Sequence, residues 1–461
     1  MANPVVQKTP PAWILTFIAA ILVPWNSQET LAQGLGLIRD TEIENTIRDY
    51  AQSIFEVTDV PPDSVTIRII ADDSLNAFVT TGNRMFLNTG TLMAAQSSAE
   101  VIGVIAHETG HIIGGHAVTF NDQMEAALTT TLLTTLLGVA AGVATGNSDL
   151  GMAFALGGQG TAQRQMLAFS RGQESSADQF ALRALDASEQ TAEGLYQFFD
   201  RISGQELLVT DRQDPYVRTH PLTRNRMSSI KAHIDQSPYS DIPPNADLEE
   251  QHQRMVAKLY SFLKSQRATL QKYPEKDISL PARYARSVAH YRRGRLDLAV
   301  PLIDGLIEER PNDPYFWELK GQMLFENGRI QESIKAYRVA AGLLPNAPLI
   351  LVAMAHAMVE SGLTDYVTET QNALRVALHT DPYNIFAWEL SAKSYALSDQ
   401  PGLSAYAAAE RALLSGQLSE VVRFAQKAEQ DLPRGTPIWV RLQDLKAVTR
   451  NYIEDMRDNK R

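Results

Sequence analysis

Ala106-His107-Glu108-Thr109-Gly110-His111 carries the pattern H-E-x-x-H. On an α-helix, residues four apart lie one above the other on a single face. His107 and His111 can therefore hold one metal ion between them. Glu108 sits about 100° further round the helix, within reach of a water on that metal but not easily of the metal itself. Zinc is the expected ion, because it accepts imidazole nitrogen, keeps a position open for water and lowers the pKa of that water to about 7. Histidine is scarce, with nine in 461 residues, so a chance occurrence of the pattern is rare. Working upstream, Ser98 to Ala106 is an apolar helix start, and Ser97 with Glu100 reads as a capping box. The two histidines would then sit on a buried helix, where polar rings need partners.

A second helical stretch, Ser170 to Ala181, places Glu174 and Asp178 one turn apart on one face. Two histidines and one carboxylate complete a catalytic zinc site with one open position, and Glu174 is the best candidate for the third ligand. Asp178 would then accept the N–H of a ligating histidine and fix its tautomer. His116 lies five residues after His111, one short of the third histidine of the metzincin pattern, whose position is Ala117. The metzincin reading is rejected, and His116 is expected beside the site or exposed rather than on the metal.

Here a family resemblance becomes plain. H-E-x-G-H followed after some sixty residues by S-R-x-x-E-x-x-A-D resembles the zinc metallopeptidases of the HtpX and CAAX-prenyl endopeptidase type, a gluzincin family. The segments Asn76-Ala77-Phe78 and Gly82-Asn83 to Asn88-Thr89-Gly90 are similar to its substrate-flanking strands. Thr219-His220-Pro221, followed by Arg224 and Arg226, is similar to the T-H-P motif that closes its catalytic domain. The resemblance covers roughly residues 35–235. It implies one zinc ion per chain held by His107, His111 and Glu174, with Glu108 as general base. His220 has three readings: it donates to the oxyanion at the scissile carbonyl, worth about 3–4 kcal/mol of barrier; it visits the open zinc position and holds the resting enzyme shut; or it caps a helix.

Composition bounds the compartment and the partners. The net charge is −11 and no Lys/Arg run forms a basic face, which argues against a nucleic-acid partner. There is no cysteine, which excludes thiolate zinc, thiol catalysis and disulfides and suits an oxidising compartment. Residues 1–32 read as a cleaved secretory signal. Lys8 precedes an apolar core from Ala12 to Val23, Pro24 ends it, and Thr30-Leu31-Ala32 offers small residues before Gln33. The alternative is an uncleaved N-terminal anchor. A threonine-rich apolar stretch, 126–145, is long enough to cross a bilayer but lacks basic or aromatic flanks; it is expected as a lid or hairpin over the site, with peripheral membrane contact within its reach, and a true span is the alternative.

Along the chain, Gly34 to Val57 is expected as a helix, with Ile38, Ile43, Ile47, Tyr50 and Ile54 at helical spacing. After Pro61-Pro62-Asp63, Val65 to Ile70, Asn76 to Thr80 and Arg84 to Asn88 read as strands, with a hairpin turn at Thr81-Gly82-Asn83. An edge strand of this sheet would take a substrate backbone by strand addition, or be purely structural. Residues 236–279 read as a linker with Pro238, Pro243 and Pro244, then a helix from Glu249 to Lys272. From 280 the chain repeats with an offset of 34: Gly294 with Gly328, Leu296 with Ile330, Pro311 with Pro345. Trp317, Gly321, Ala340 and Pro345 fall at tetratricopeptide positions. A third unit runs through Ala355 and Gly362 to Pro382, which comes three residues late. Trp388, Ala392 and Tyr395 start a partial unit, and Ala409, Gly416, Ala428 and Pro433 give another. Such repeats stack into a solenoid with a groove that binds segments of other proteins.

The expected architecture is an α+β zinc metallopeptidase domain, mostly helical with a small sheet, over 33–235. An all-α tetratricopeptide solenoid follows over 280–452, with a tail at 453–461. This combination resembles the soluble, secreted branch of the family in the Gram-negative periplasm. It implies unfolded or misassembled envelope proteins as substrates, the outer-membrane barrel assembly machinery as partner, and a role in outer-membrane protein quality control. The rival reading is a chaperone or scaffold whose zinc site is structural or gated, with His220 as a fourth ligand. The intact Glu108 speaks against it, since a structural zinc needs no base.

Overall fold

The computed structural model describes residues 36–119, Leu137, 169–203 and 215–458. The expected signal segment 1–32 and the stretch 126–145, Leu137 apart, lie outside the described residues. Leu37–Ile38 is a short strand, β1, and the first helix, α1, runs Thr41–Phe55. The helix expected from Gly34 thus starts later, because Asp40 takes an extended conformation and its carboxylate accepts the N–H of Ile43 at 3.0 Å. Ile43, Ile47, Tyr50 and Ile54 form its buried stripe, whereas Ile38 belongs to β1.

Three more strands follow: β2 (Thr66–Ile70), β3 (Ala77–Thr80) and β4 (Arg84–Asn88). The sheet order is β1-β2-β4-β3. β3 and β4 are an antiparallel hairpin, with Gly82 and Asn83 at positive φ in the turn, and β4 lies parallel to β2. β3 is therefore an edge. Helix α2 (Thr89–Ala94) leads into α3 (Ser98–Ile113), which carries the H-E-x-x-H motif and is buried from Glu100 to His111.

The capping box expected at Ser97 does not form. The Ser97 side chain makes no cap bond. Glu100 instead accepts the N–H of Gln96 at 3.1 Å and is held by Arg201 through two bonds of 2.7 and 2.5 Å. The N–H of Ser98 is satisfied from a distance, by the Glu249 carboxylate at 2.9 Å. A carboxylate at a helix N-terminus also meets the positive end of the helix dipole.

Helix α4, described over 169–187, crosses α3 closely. A Cβ on Gly110 would lie 2.9 Å from both Cα and O of Ala177, so only glycine allows this approach. Helices α5 (Glu193–Ser203), α6 (Pro215–Thr219) and α7 (Arg224–Ile234) close the domain. Residues 236–279, read from the sequence as linker and helix, contain two helices, α8 (Ala246–Leu263) and α9 (Gln266–Lys272), broken at Lys264 and Ser265. α8 is no spacer: Met255 and Leu259 sit in the core of the catalytic domain.

The repeats then run as α10 (Leu280–Tyr291), α11 (Leu296–Glu309), α12 (Pro314–Glu326), α13 (Ile330–Leu343), α14 (Pro348–Glu360), α15 (Val367–Thr380), α16 (Ile385–Leu397), α17 (Pro401–Leu414), α18 (Leu418–Asp431) and α19 (Pro437–Asp458). Leu280, Pro314 and Pro348 open successive units 34 residues apart. A 3-10 turn at Thr364–Tyr366 then inserts three residues, which is why Pro382 comes late. The Trp317 indole donates to Pro311 O and the Trp388 indole to Pro382 O, both at 2.9 Å, so the same bond survives the insertion. α19 continues through the first residues of the expected tail.

The two halves meet at a charged joint. Arg254 of α8 binds Glu42 at 2.7 Å and Asp313 at 2.6 Å, and Lys258 binds Asp40 at 2.7 Å and Glu42 at 3.2 Å. Tyr284 of the first repeat donates to Glu42 at 2.7 Å, and Thr41 donates to Glu318 at 3.2 Å. Four carboxyl groups thus surround two cations. Burial pushes the Glu318 carboxyl up to about 8, with Asp40 and Glu42 adding to the rise against Lys258.

Two outcomes are expected. Gly110→Ala forces α3 and α4 apart at backbone atoms and destabilises the domain by about 1–3 kcal/mol, read by chemical denaturation. Glu318 holds a proton in the folded chain at pH values where the unfolded chain has lost it, so it lowers stability as pH rises from 4.5 to about 8. Glu318→Gln should raise the melting temperature, by a margin that grows between about pH 5 and pH 8. A margin that shrinks over that range would exclude a neutral Glu318.

Candidate active site

α3 presents His107 and His111 on one face, as their spacing requires, and the Gly110–Ala177 approach brings Glu174 of α4 against both. His107 Nε2 lies 3.1 Å from His111 Nε2 and 3.4 Å from Glu174 Oε2; His111 Nε2 lies 3.4 Å from Glu174 Oε1. His220, directly after α6, adds a fourth donor: its Nδ1 is 3.5 Å from His107 Nε2 and 3.1 Å from Glu174 Oε1. All four residues are buried, and their donor atoms lie within 4.8 Å of one another. Ligand bonds of about 2.0–2.1 Å in a tetrahedron place donors about 3.3 Å apart. The donor chemistry and these separations both fit zinc.

Glu108 points into the same space. It is fully buried, and neither carboxylate oxygen has a hydrogen-bond partner among the described residues; His220 Nε2 is 3.6 Å from Oε1. Burial holds its carboxyl above the ordinary range, with Glu174 adding to the rise and His220, His107 and Arg226 opposing it. A buried carboxylate without a hydrogen-bond donor is costly.

Asp178 faces His107 Nδ1 at 3.0 Å from one turn below Glu174, although the approach lies off the ring N–H direction. It is fixed by Arg226, whose Nε and Nη2 donate to its two oxygens at 2.6 and 2.7 Å. Burial opposes ionisation of Asp178, but Arg226 and His107 outweigh it and hold the carboxyl below its usual range. The same guanidinium reaches Glu174 Oε2 at 2.9 Å and Pro221 O at 2.8 Å, and lies over the Phe199 ring. Arg226 is thus the clamp that joins both acids of α4 to the His220 segment. In the sequence it stood only as part of a motif flank, with no role attached.

Tyr216 was missed altogether. It is fully buried, stacks on the His220 ring with centroids 4.5 Å apart, and packs against Phe198 and Phe199. Its position four residues before His220, on the same helical face, is the signal that would have found it. His116 is also buried, with its ring against that of His111.

Comparison with known proteins agrees with this geometry. Residues 38–234 match the model of peptidase family M48, and residues 284–348 match a tetratricopeptide repeat model. Among characterised relatives, the beta-barrel assembly-enhancing protease of Yersinia pestis is 21% identical over 372 residues, covering 80% of this chain and 75% of that one. The protein of the same name in Escherichia coli is 20% identical over 373 residues, with the same coverage. A Vibrio cholerae protein provisionally given that name is 23% identical over 380 residues, covering 80% of this chain and 76% of its own. The chain thus carries a domain that matches peptidase family M48, followed by tetratricopeptide repeats, and is a metalloendopeptidase.

Proposed function

We propose that this chain is a zinc endopeptidase of the Gram-negative periplasm that cleaves unfolded or misassembled outer-membrane proteins. Its repeat domain would hold substrates or the barrel assembly machinery. The names of the relatives support the setting. The chemistry rests on one observation: a buried set of four metal-ligand donors with the Glu108 carboxylate, free of hydrogen bonds among the described residues, beside it. His107, His111 and Glu174 hold the ion, and Asp178 orients His107. Zinc held there supplies Lewis acidity to the peptide carbonyl and brings the pKa of water to about 7. Glu108 takes the proton of the attacking water and delivers it to the departing amine. β3, as the sheet edge, offers its backbone to an extended substrate.

In this arrangement His220 occupies the fourth corner of the donor set, so it closes the site. Of its three readings, the gate fits this geometry best: water and substrate enter once His220 withdraws. The same closure is what favours the second reading, a chaperone or scaffold with a permanently closed zinc site.

Two variants separate the readings. Glu108→Gln should retain zinc and lose at least about a hundredfold in cleavage of an unfolded protein. His220→Ala should retain zinc and cleave faster than wild type. Lost cleavage in His220→Ala with zinc retained would make His220 a catalytic donor. If neither wild type nor His220→Ala cuts while both hold zinc, the scaffold reading replaces the peptidase reading.

A further inference from the structure

The two histidines of the motif are supported differently. His107 turns its remote nitrogen towards a carboxylate, Asp178. His111 turns its own towards another imidazole: His111 Nδ1 and His116 Nδ1 are 2.8 Å apart. We propose that His116 is a positioning residue that fixes the tautomer and ring orientation in which His111 meets the metal.

The local structure is built for this contact. α3 ends at Ile113, Gly114 keeps a helical conformation, and Gly115 at φ +61 reverses the chain. The His116 ring then folds back over Gly114, where an added Cβ would sit 2.3 Å from His116 Nε2 and 2.6 Å from Cδ2. Gly114 is thus the floor on which the imidazole lies. The turn is tied to α4 by Gln173, whose side chain donates to His116 O at 3.4 Å and to Thr119 Oγ1 at 3.0 Å. Gln173 immediately precedes Glu174, so the turn is anchored beside the third ligand.

Proton placement follows from the donor set. His111 Nε2 faces the metal position, 3.1 Å from His107 Nε2. A ligating nitrogen must present its lone pair, so the ring proton of neutral His111 sits on Nδ1. That N–H donates to His116 Nδ1, whose own proton then lies on Nε2. Such outer partners orient a ligand and raise its basicity, and losing one costs about 10–100-fold in metal affinity. An imidazole performs this for His111 without adding a fourth carboxylate to a site that already holds Glu174, Asp178 and Glu108.

The inference rests on the zinc reading, and the test tells the two apart. Zinc affinity of the metal-free chain is measured by chelator competition, together with the visible absorption of the cobalt(II)-loaded chain. His116→Phe should bind zinc about 10–100-fold more weakly than wild type and alter the cobalt spectrum. His116→Gln keeps an acceptor without overfilling the space, and should recover most of the affinity. Gly114→Ala, which displaces the ring while leaving both histidines in place, should weaken zinc comparably. In a His116→Phe background it should cost nothing further. KM for a peptide substrate should hold in the zinc-loaded variants. The proposal fails if His116→Phe binds zinc within about twofold of wild type, if His116→Gln is as weak as His116→Phe, or if the Gly114 and His116 losses add. A wild-type chain that takes up no zinc overturns the zinc reading itself, and this inference with it.

Discussion

Gly110 has no side chain, and the backbone of α4 lies where one would be. A Cβ there would stand 2.9 Å from Ala177. Zinc ligands must sit about 3.3 Å from one another, and side chains cannot stretch to make up for helices packed too far apart. With α3 and α4 in backbone contact, a glutamate side chain on α4 spans the gap to two histidines on α3. Asp178, one turn along α4, then reaches the far side of His107. The metal-binding geometry is in this sense a consequence of one missing methyl group.

The contact would be loose if nothing held α4 in rotation and α3 in position. Arg226 fixes the rotation of α4, because its planar guanidinium binds Asp178 with two parallel hydrogen bonds and forms an ion pair with Glu174 at 2.9 Å. Buried as it is, it also needs those acids: removing either would leave an uncompensated charge. The start of α3 is fixed by Arg201 through Glu100 and by Glu249 through the Ser98 N–H. Since Glu249 belongs to α8, and Arg254 of α8 binds Asp313 of the repeats, α8 ties the solenoid to the start of α3.

His220 shows how one residue can be both part of a site and an obstacle to it. Its Nδ1 joins the cluster of donors from His107, His111 and Glu174 while its Nε2 faces Glu108. The ring is held in that place by the stack on Tyr216, and the His220 backbone N–H donates to Tyr216 O at 2.7 Å. α6 is short, and Pro221 follows His220 directly, so the ring rests on stacking rather than on a long helix.

Much of this was legible in the chain. The i, i+4 spacing of His107 and His111, and that of Glu174 and Asp178, are helical periodicities, and periodicity is local: it survives whatever the helix packs against. The 34-residue offset is equally readable, because each unit repeats the same covalent pattern, down to the tryptophan bond that recurs after a three-residue insertion. The hairpin was announced by Gly82 and Asn83, whose backbone preferences belong to the residues themselves. The cap of α3 was misread because Ser97 and Glu100 have the right spacing, yet Glu100 gains more from Arg201 than from closing a box. α8 read as a helix, but its partners on both sides, the catalytic core and the repeats, were not legible in the sequence. Arg226, Tyr216 and His116 act through a clamp, a stack and an imidazole contact whose partners are joined by folding alone. The sequence by itself determined which residues share a helical face and which units repeat. Tertiary structure alone decided which faces meet, since the ion pairs and close contacts between elements distant in the chain leave no periodic mark on it.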